Sequence, residues 1–292
     1  MLVSIAMKLK YICISTLLIF FSFAAPVTPI PVSRTFYSTP TIQIVIEENS
    51  YPVMLDLGSG FSLSLDKVIL DAILDKKPSI PVRWRDYKGT TYESPSYILP
   101  KIQIGDLTFE NVFVKEENVE FNLNTTIGTG DKGFQIDGVI GRFLIKETNL
   151  LLDFEHSLIL ACNDKMALEA QGISFDEMIP IPFENHQLGI LLNAETDAGP
   201  IRLILDTGAT ASVLRASSFE NQPQEYYADG YYFLTPQKFA IENHDFDHNF
   251  FLLLDVSSEL APADGLLGMD FMENHIIYID TPNNTLYISQ SK

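Results

Sequence analysis

Two aspartates stand at the same point of two similar words. Val53-Met54-Leu55 runs into Asp56-Leu57-Gly58-Ser59, and 150 residues later Leu203-Ile204-Leu205 runs into Asp206-Thr207-Gly208-Ala209. In each word an apolar strand ends in a carboxylate. A glycine two residues on permits a tight turn and the close approach of another backbone. If the two copies pack about a pseudo-twofold axis, Asp56 and Asp206 meet. Two carboxylates at hydrogen-bonding distance cannot both ionise readily, so they share a proton and titrate as a pair. Such a pair offers a base and an acid at once. It can deprotonate a water, protonate a carbonyl oxygen and then protonate a leaving amine.

Positioning that pair requires a repeated scaffold, and the chain repeats itself in order. Ile102-Gln103-Ile104 with Phe109 matches Phe239-Ala240-Ile241 with Phe246, 137 residues on. Ile136-Asp137-Gly138-Val139-Ile140-Gly141 matches Ala263-Asp264-Gly265-Leu266-Leu267-Gly268, 127 residues on, and Leu150-Leu151-Leu152-Asp153 matches Ile277-Tyr278-Ile279-Asp280 at the same offset. A shrinking offset describes a duplication whose second copy has shorter loops. Ile42, Ile44 and Ile46 alternate with other residues, as do Ile102 and Ile104, which is the period of half-buried strands. Gly105-Asp106 and Asn283-Asn284 supply turn chemistry. One or two helical turns are expected after each second glycine, over residues 142–147 and 269–274. The expected fold class is all-β.

With both glycine words in view, the chain resembles the aspartic proteases of the pepsin and retropepsin clan. Members mark each lobe with Asp-Thr/Ser-Gly and a later hydrophobic-hydrophobic-Gly. The resemblance covers nearly all of residues 38–292, which look like two retropepsin-like halves fused in tandem. It implies a two-lobed acid-protease β-barrel architecture with internal duplication and an aspartic-type endopeptidase. Asp56 and Asp206 would be catalytic, and Gly58, Ser59, Thr207 and Gly208 would support the catalytic turns. Peptide or unfolded protein is the implied substrate, no cofactor or metal is implied, and a monomer is expected. One departure stands out: Leu57 occupies a position where members carry Thr or Ser, so only Thr207 can cross-link the two turns. A non-catalytic peptide- or protein-binding module that kept the fold is the alternative this departure motivates. The resemblance also implies a hairpin flap, assigned to residues 84–92 with Tyr87, Gly89 and Tyr92 as its substrate-facing residues. Residues 226–232 are the corresponding segment of the second copy.

The remaining features bound these expectations. The chain has 292 residues, 46% hydrophobic and 20% charged, so it is neither a mini-protein nor disordered. A formal charge of −19 argues against duplex nucleic acid and against anionic lipid. Lys8 and Lys10 precede an apolar run of roughly 15 residues, short for a membrane span but suited to a secretory leader. Ser22-Phe23-Ala24 places cleavage after Ala24, so export to the periplasm or outside is expected, with no membrane association afterwards. Domains are drawn at 1–24 (leader), 25–37 (proline-rich arm), 38–163 (first lobe), 164–185 (connector) and 186–292 (second lobe). Cys13 leaves with the leader, and Cys162 remains as a free, buried, structural thiol. His244 and His248 invite a metal, but a hairpin rather than one helical face is expected there. Residues 128–133 lack the spacing of a phosphate loop and read as a flexible loop. Asn124 and Asn283 begin glycosylation sequons.

Overall fold

The computed structural model describes residues 27–34, 39–85, 89–117, 136–228, 230–256 and 261–290. The expected leader, the Asn124 sequon, the loop at 128–133 and Tyr87 lie outside the described residues. Among those described, the chain is nearly all-β, and no helix is long and apolar enough to cross a membrane.

In the first half, six strands close on themselves. Their order is Pro40–Ile46, Asn49–Asp56, Gly138–Gly141, Leu63–Asp66, Leu107–Glu117 and Ser96–Ile104, and Val45 opposite Gln103 returns the last to the first. Closure leaves no unpaired edge and encloses the expected alternating residues. Ile42, Ile44, Ile46, Ile102 and Ile104 are all buried, and Gln43 between them is exposed. The second half builds a ten-stranded sheet around Gly189–Thr196, Gly199–Leu205 and Gly265–Leu267.

The two halves carry the same pairing around their aspartates. Gly138–Gly141 runs parallel to the strand ending at Asp56 and antiparallel to Leu63–Asp66. Gly265–Leu267 runs parallel to the strand ending at Leu205 and antiparallel to Val213–Arg215. Each glycine word is thus the middle of three strands that hold an aspartate turn. Single helical turns follow both words, at Arg142–Ile145 and Met269–Met272.

A six-stranded sheet joins the halves, in the order Thr28–Pro31, Leu158–Cys162, Asn149–Asp153, Ile277–Asp280, Thr285–Ser289, Met178–Pro182. At its centre Leu150, Leu151 and Leu152 face Ile279, Tyr278 and Ile277. The register is centred on Leu151 and Tyr278, which are themselves 127 residues apart.

Two segments read as arm and connector do more than link. Pro29 and Pro31 of the arm alternate along an edge strand, where a missing N–H can face solvent. The connector contributes the opposite edge, Met178–Pro182, and the Lys165–Glu169 helix capped by the Asp164 side chain. Leu63–Asp66 also runs into an unanticipated helix, Lys67–Ala72, whose N-cap Asp66 accepts from Val68 N–H at 2.7 Å. Cys162 is free and buried, with burial pushing its thiol up to about 11, as expected of a structural rather than reactive group.

Candidate active site

Asp56 ends the strand Asn49–Asp56, and Asp206 directly follows the strand Gly199–Leu205. Each turn is closed by the same backbone bond, Ser59 N–H to Asp56 C=O at 3.2 Å and Ala209 N–H to Asp206 C=O at 3.3 Å. The two carboxyls are hydrogen-bonded to one another. Both residues are half-buried.

Glycine is what lets them meet. A Cβ on Gly58 would lie 2.5 Å from Asp206 Cγ, and one on Gly208 would lie 2.6 Å from Asp56 Cγ. Each turn therefore presses its glycine against the opposite carboxyl. No other residue type fits without moving the acid.

The electrostatics are asymmetric. Burial, and next the charge of Asp206, push Asp56 well above the usual carboxylate range. Burial also raises Asp206, while hydrogen bonds from Asp56 and from the N–H groups of Gly208, Gly58 and Ala209 favour its charged form and moderate the rise. The Gly208 bond to Oδ1 is 2.8 Å long. The two carboxyls titrate as a pair, and both are raised above the usual carboxylate range. Ser59 reaches Asp56 Oδ1 through its backbone N–H at 2.8 Å rather than through its hydroxyl.

Thr207 cross-links the turns as expected. Its buried Oγ1 accepts from Leu57 N–H at 2.9 Å and donates to Leu55 C=O at 2.7 Å. Thr207→Val keeps the shape but strands that N–H and that C=O in the interior. It is expected to cost about 2–4 kcal/mol, read as a lowered urea midpoint. Leu57 gives nothing in return; its side chain is buried, lining an apolar pocket with Phe183, Ile190 and Ile279.

Two supports were not anticipated. Arg142, next after Gly141, is buried and sends Nη1 to Gly58 C=O at 3.0 Å and Nη2 to Gln187 C=O in the second half. Its guanidinium is pushed down by burial and held up by Asp56 and Asp206, so a cation faces the acid pair. Behind the second turn Asp270 Oδ1 accepts from the Ser212 N–H and hydroxyl at 2.8 and 2.7 Å, and Ser212 Oγ accepts from Gly268 N–H at 3.0 Å. The only sequence signal for either was its place just beyond a paired glycine.

The hairpin assigned to residues 84–92 forms from Val82–Arg85 and Thr91–Ser94. Tyr92 stacks on Trp84 at 4.7 Å, and Gly89 takes φ +85° at the return. The corresponding strands of the second half, Glu225–Ala228 and Tyr231–Leu234, belong to the large sheet instead. His244 and His248 part company: His244 is exposed, and His248 is buried edge-on to Phe239, Phe251 and Phe271. Asp153 and Asp280 brace turns, and Asp264 accepts from the strand N–H of Arg202.

No protein-family model matches the chain. No curated protein matches it either.

Proposed function

We propose that this chain is an aspartic endopeptidase that hydrolyses peptide bonds with a water activated by Asp56 and Asp206. One observation carries the reading: two carboxyls, hydrogen-bonded together, each pressed by the glycine of the opposite turn. Charged Asp206 takes a proton from the water as its oxygen attacks the carbonyl carbon. Neutral Asp56 gives its proton to the carbonyl oxygen. The tetrahedral diol then collapses, the C–N bond breaks, and the amine leaves protonated by the dyad.

The reading takes the molecule as two lobes related by a pseudo-twofold axis, with the peptide lying between them and the hairpin closing over it. Matching strand pairings around each aspartate support this, as does the self-complementary register at Leu151 and Tyr278. Export by residues 1–24 is part of the same proposal, and Gly58, Ser59, Thr207 and Gly208 support the turns.

The test is cleavage of an unfolded protein across roughly pH 3 to 7, with new termini counted by mass spectrometry. A parallel arm contains a peptide whose scissile amide is replaced by a secondary alcohol, which mimics the tetrahedral diol. Cuts that this mimic suppresses are expected. A folded protein that makes no cuts at any pH would sink the proposal and favour the binding module.

A further inference from the structure

The Val82–Arg85 and Thr91–Ser94 hairpin forms a two-stranded sheet of its own. A lone two-stranded hairpin is marginal in water, so side chains must hold it. Its strands alternate: Val82, Trp84, Tyr92 and Ser94 are half-buried, and Arg83, Arg85, Thr91 and Glu93 are exposed. On the covered side, Trp84 Nε1–H donates to Ser94 Oγ at 3.0 Å, which sets the plane of the indole.

Beneath that indole lies Lys115 of the strand Leu107–Glu117, only 2% exposed. Its Nζ sits 3.8 Å from the Trp84 ring centre, 4.4 Å from the Phe61 ring centre and 3.4 Å from Glu117 Oε1. Phe61 belongs to the loop that leaves Asp56. One buried cation therefore touches the hairpin, the first aspartate loop and a neutralising carboxylate. Lysine is rarely buried, because a charge taken from water must be repaid by partners. An apolar residue would fill the volume with no such cost. What it would lose is the attraction between a desolvated cation and two aromatic faces, and that attraction spans the hairpin and the loop.

We propose that Lys115 is a positioning residue that fastens the free-standing hairpin against the Asp56 loop and so sets how firmly the hairpin closes over a bound peptide. The second clause rests on the peptidase reading; the fastening does not.

Trp84 is the sole tryptophan of the chain, so all indole fluorescence comes from this hairpin. The variants are Lys115→Met with Glu117→Gln, which removes both charges together so that neither is orphaned, and Lys115→Arg, which keeps a cation over the indole. A urea midpoint confirms that each variant folds. In the double variant acrylamide quenching of Trp84 is expected to rise about threefold, and KM about tenfold, with kcat within about threefold of wild type. Lys115→Arg is expected to restore both. Unchanged quenching in the double variant overturns the proposal. Raised quenching with unchanged KM supports the fastening and overturns its role in peptide closure. Raised quenching in a protein whose wild type cuts nothing supports the fastening while the peptidase reading fails.

Discussion

Asp206→Asn is expected to lower peptide cleavage by about 10³-fold or more while leaving the protein folded and, at neutral pH, more stable. The activity loss follows from the role proposed for Asp206, which takes the proton from water. The gain in stability follows from linkage. Asp56 is raised above its unfolded value, so the folded state binds a proton that the unfolded chain releases. The contribution of Asp56 to stability is therefore complete below the ordinary carboxylate value of 3.8 and is lost as pH rises through its raised folded value. Part of that rise comes from the charge of Asp206, and the amide removes it. Urea unfolding of wild type and variant should thus differ at pH 7 and converge near pH 3. The wild-type activity profile is expected to be bell-shaped, because the working state holds one proton. It should fail in acid when both carboxyls are protonated. It should fail on the alkaline side when Asp56 finally ionises, above the usual carboxylate range.

Gly208→Ala is expected to reduce cleavage by about 10²-fold or more at a modest cost in stability. The added methyl would lie 2.6, 2.8 and 2.9 Å from Cγ, Oδ1 and Oδ2 of Asp56, inside any real contact distance. The Asp56 carboxyl must swing away, breaking its bond to Asp206, and misplacing a reacting group by about 1 Å costs on the order of 10²-fold. Overpacking of this kind costs about 1–3 kcal/mol. With its neighbour gone, Asp56 should also titrate closer to an ordinary carboxylate, which carboxyl NMR would read directly. Gly58→Ala presses on Asp206 in the same way and should produce the same pair of changes. Activity lost without a titration shift would separate a general folding defect from a broken pair.

Much of this site was legible in the chain. The spacing of Asp56, Gly58, Asp206 and Gly208 foretold turns at strand ends, and the glycine words foretold the strands that hold them, because both features are local. A period of two names the buried face of a strand wherever it lies. A glycine followed by a helical turn, as at Gly141 and Gly268, is likewise a short-range pattern. Arg142, Asp270 and Lys115 were not legible. Arg142 matters through carbonyls 84 and 45 residues away, Asp270 through Ser212 at 58, and Lys115 through rings on two other segments. Nothing in a single sequence marks a charged residue as buried when its partners are backbone carbonyls or aromatic faces.

The proline-rich arm teaches the same lesson from the other side. Its composition says extended, and residues 28–31 form a strand. Whether an extended arm floats or docks depends on an available edge, and Leu158–Cys162 offers one.

By itself, the sequence determined the all-β class, the two aspartate turns and the absence of a second hydroxyl at Leu57, since these are matters of local propensity and residue identity. Tertiary structure alone decided that the two acids share a hydrogen bond, that burial raises both of them and that Arg142 spans the halves. Those are properties of distance and burial, and they exist only once remote segments are packed together and water is removed from between them.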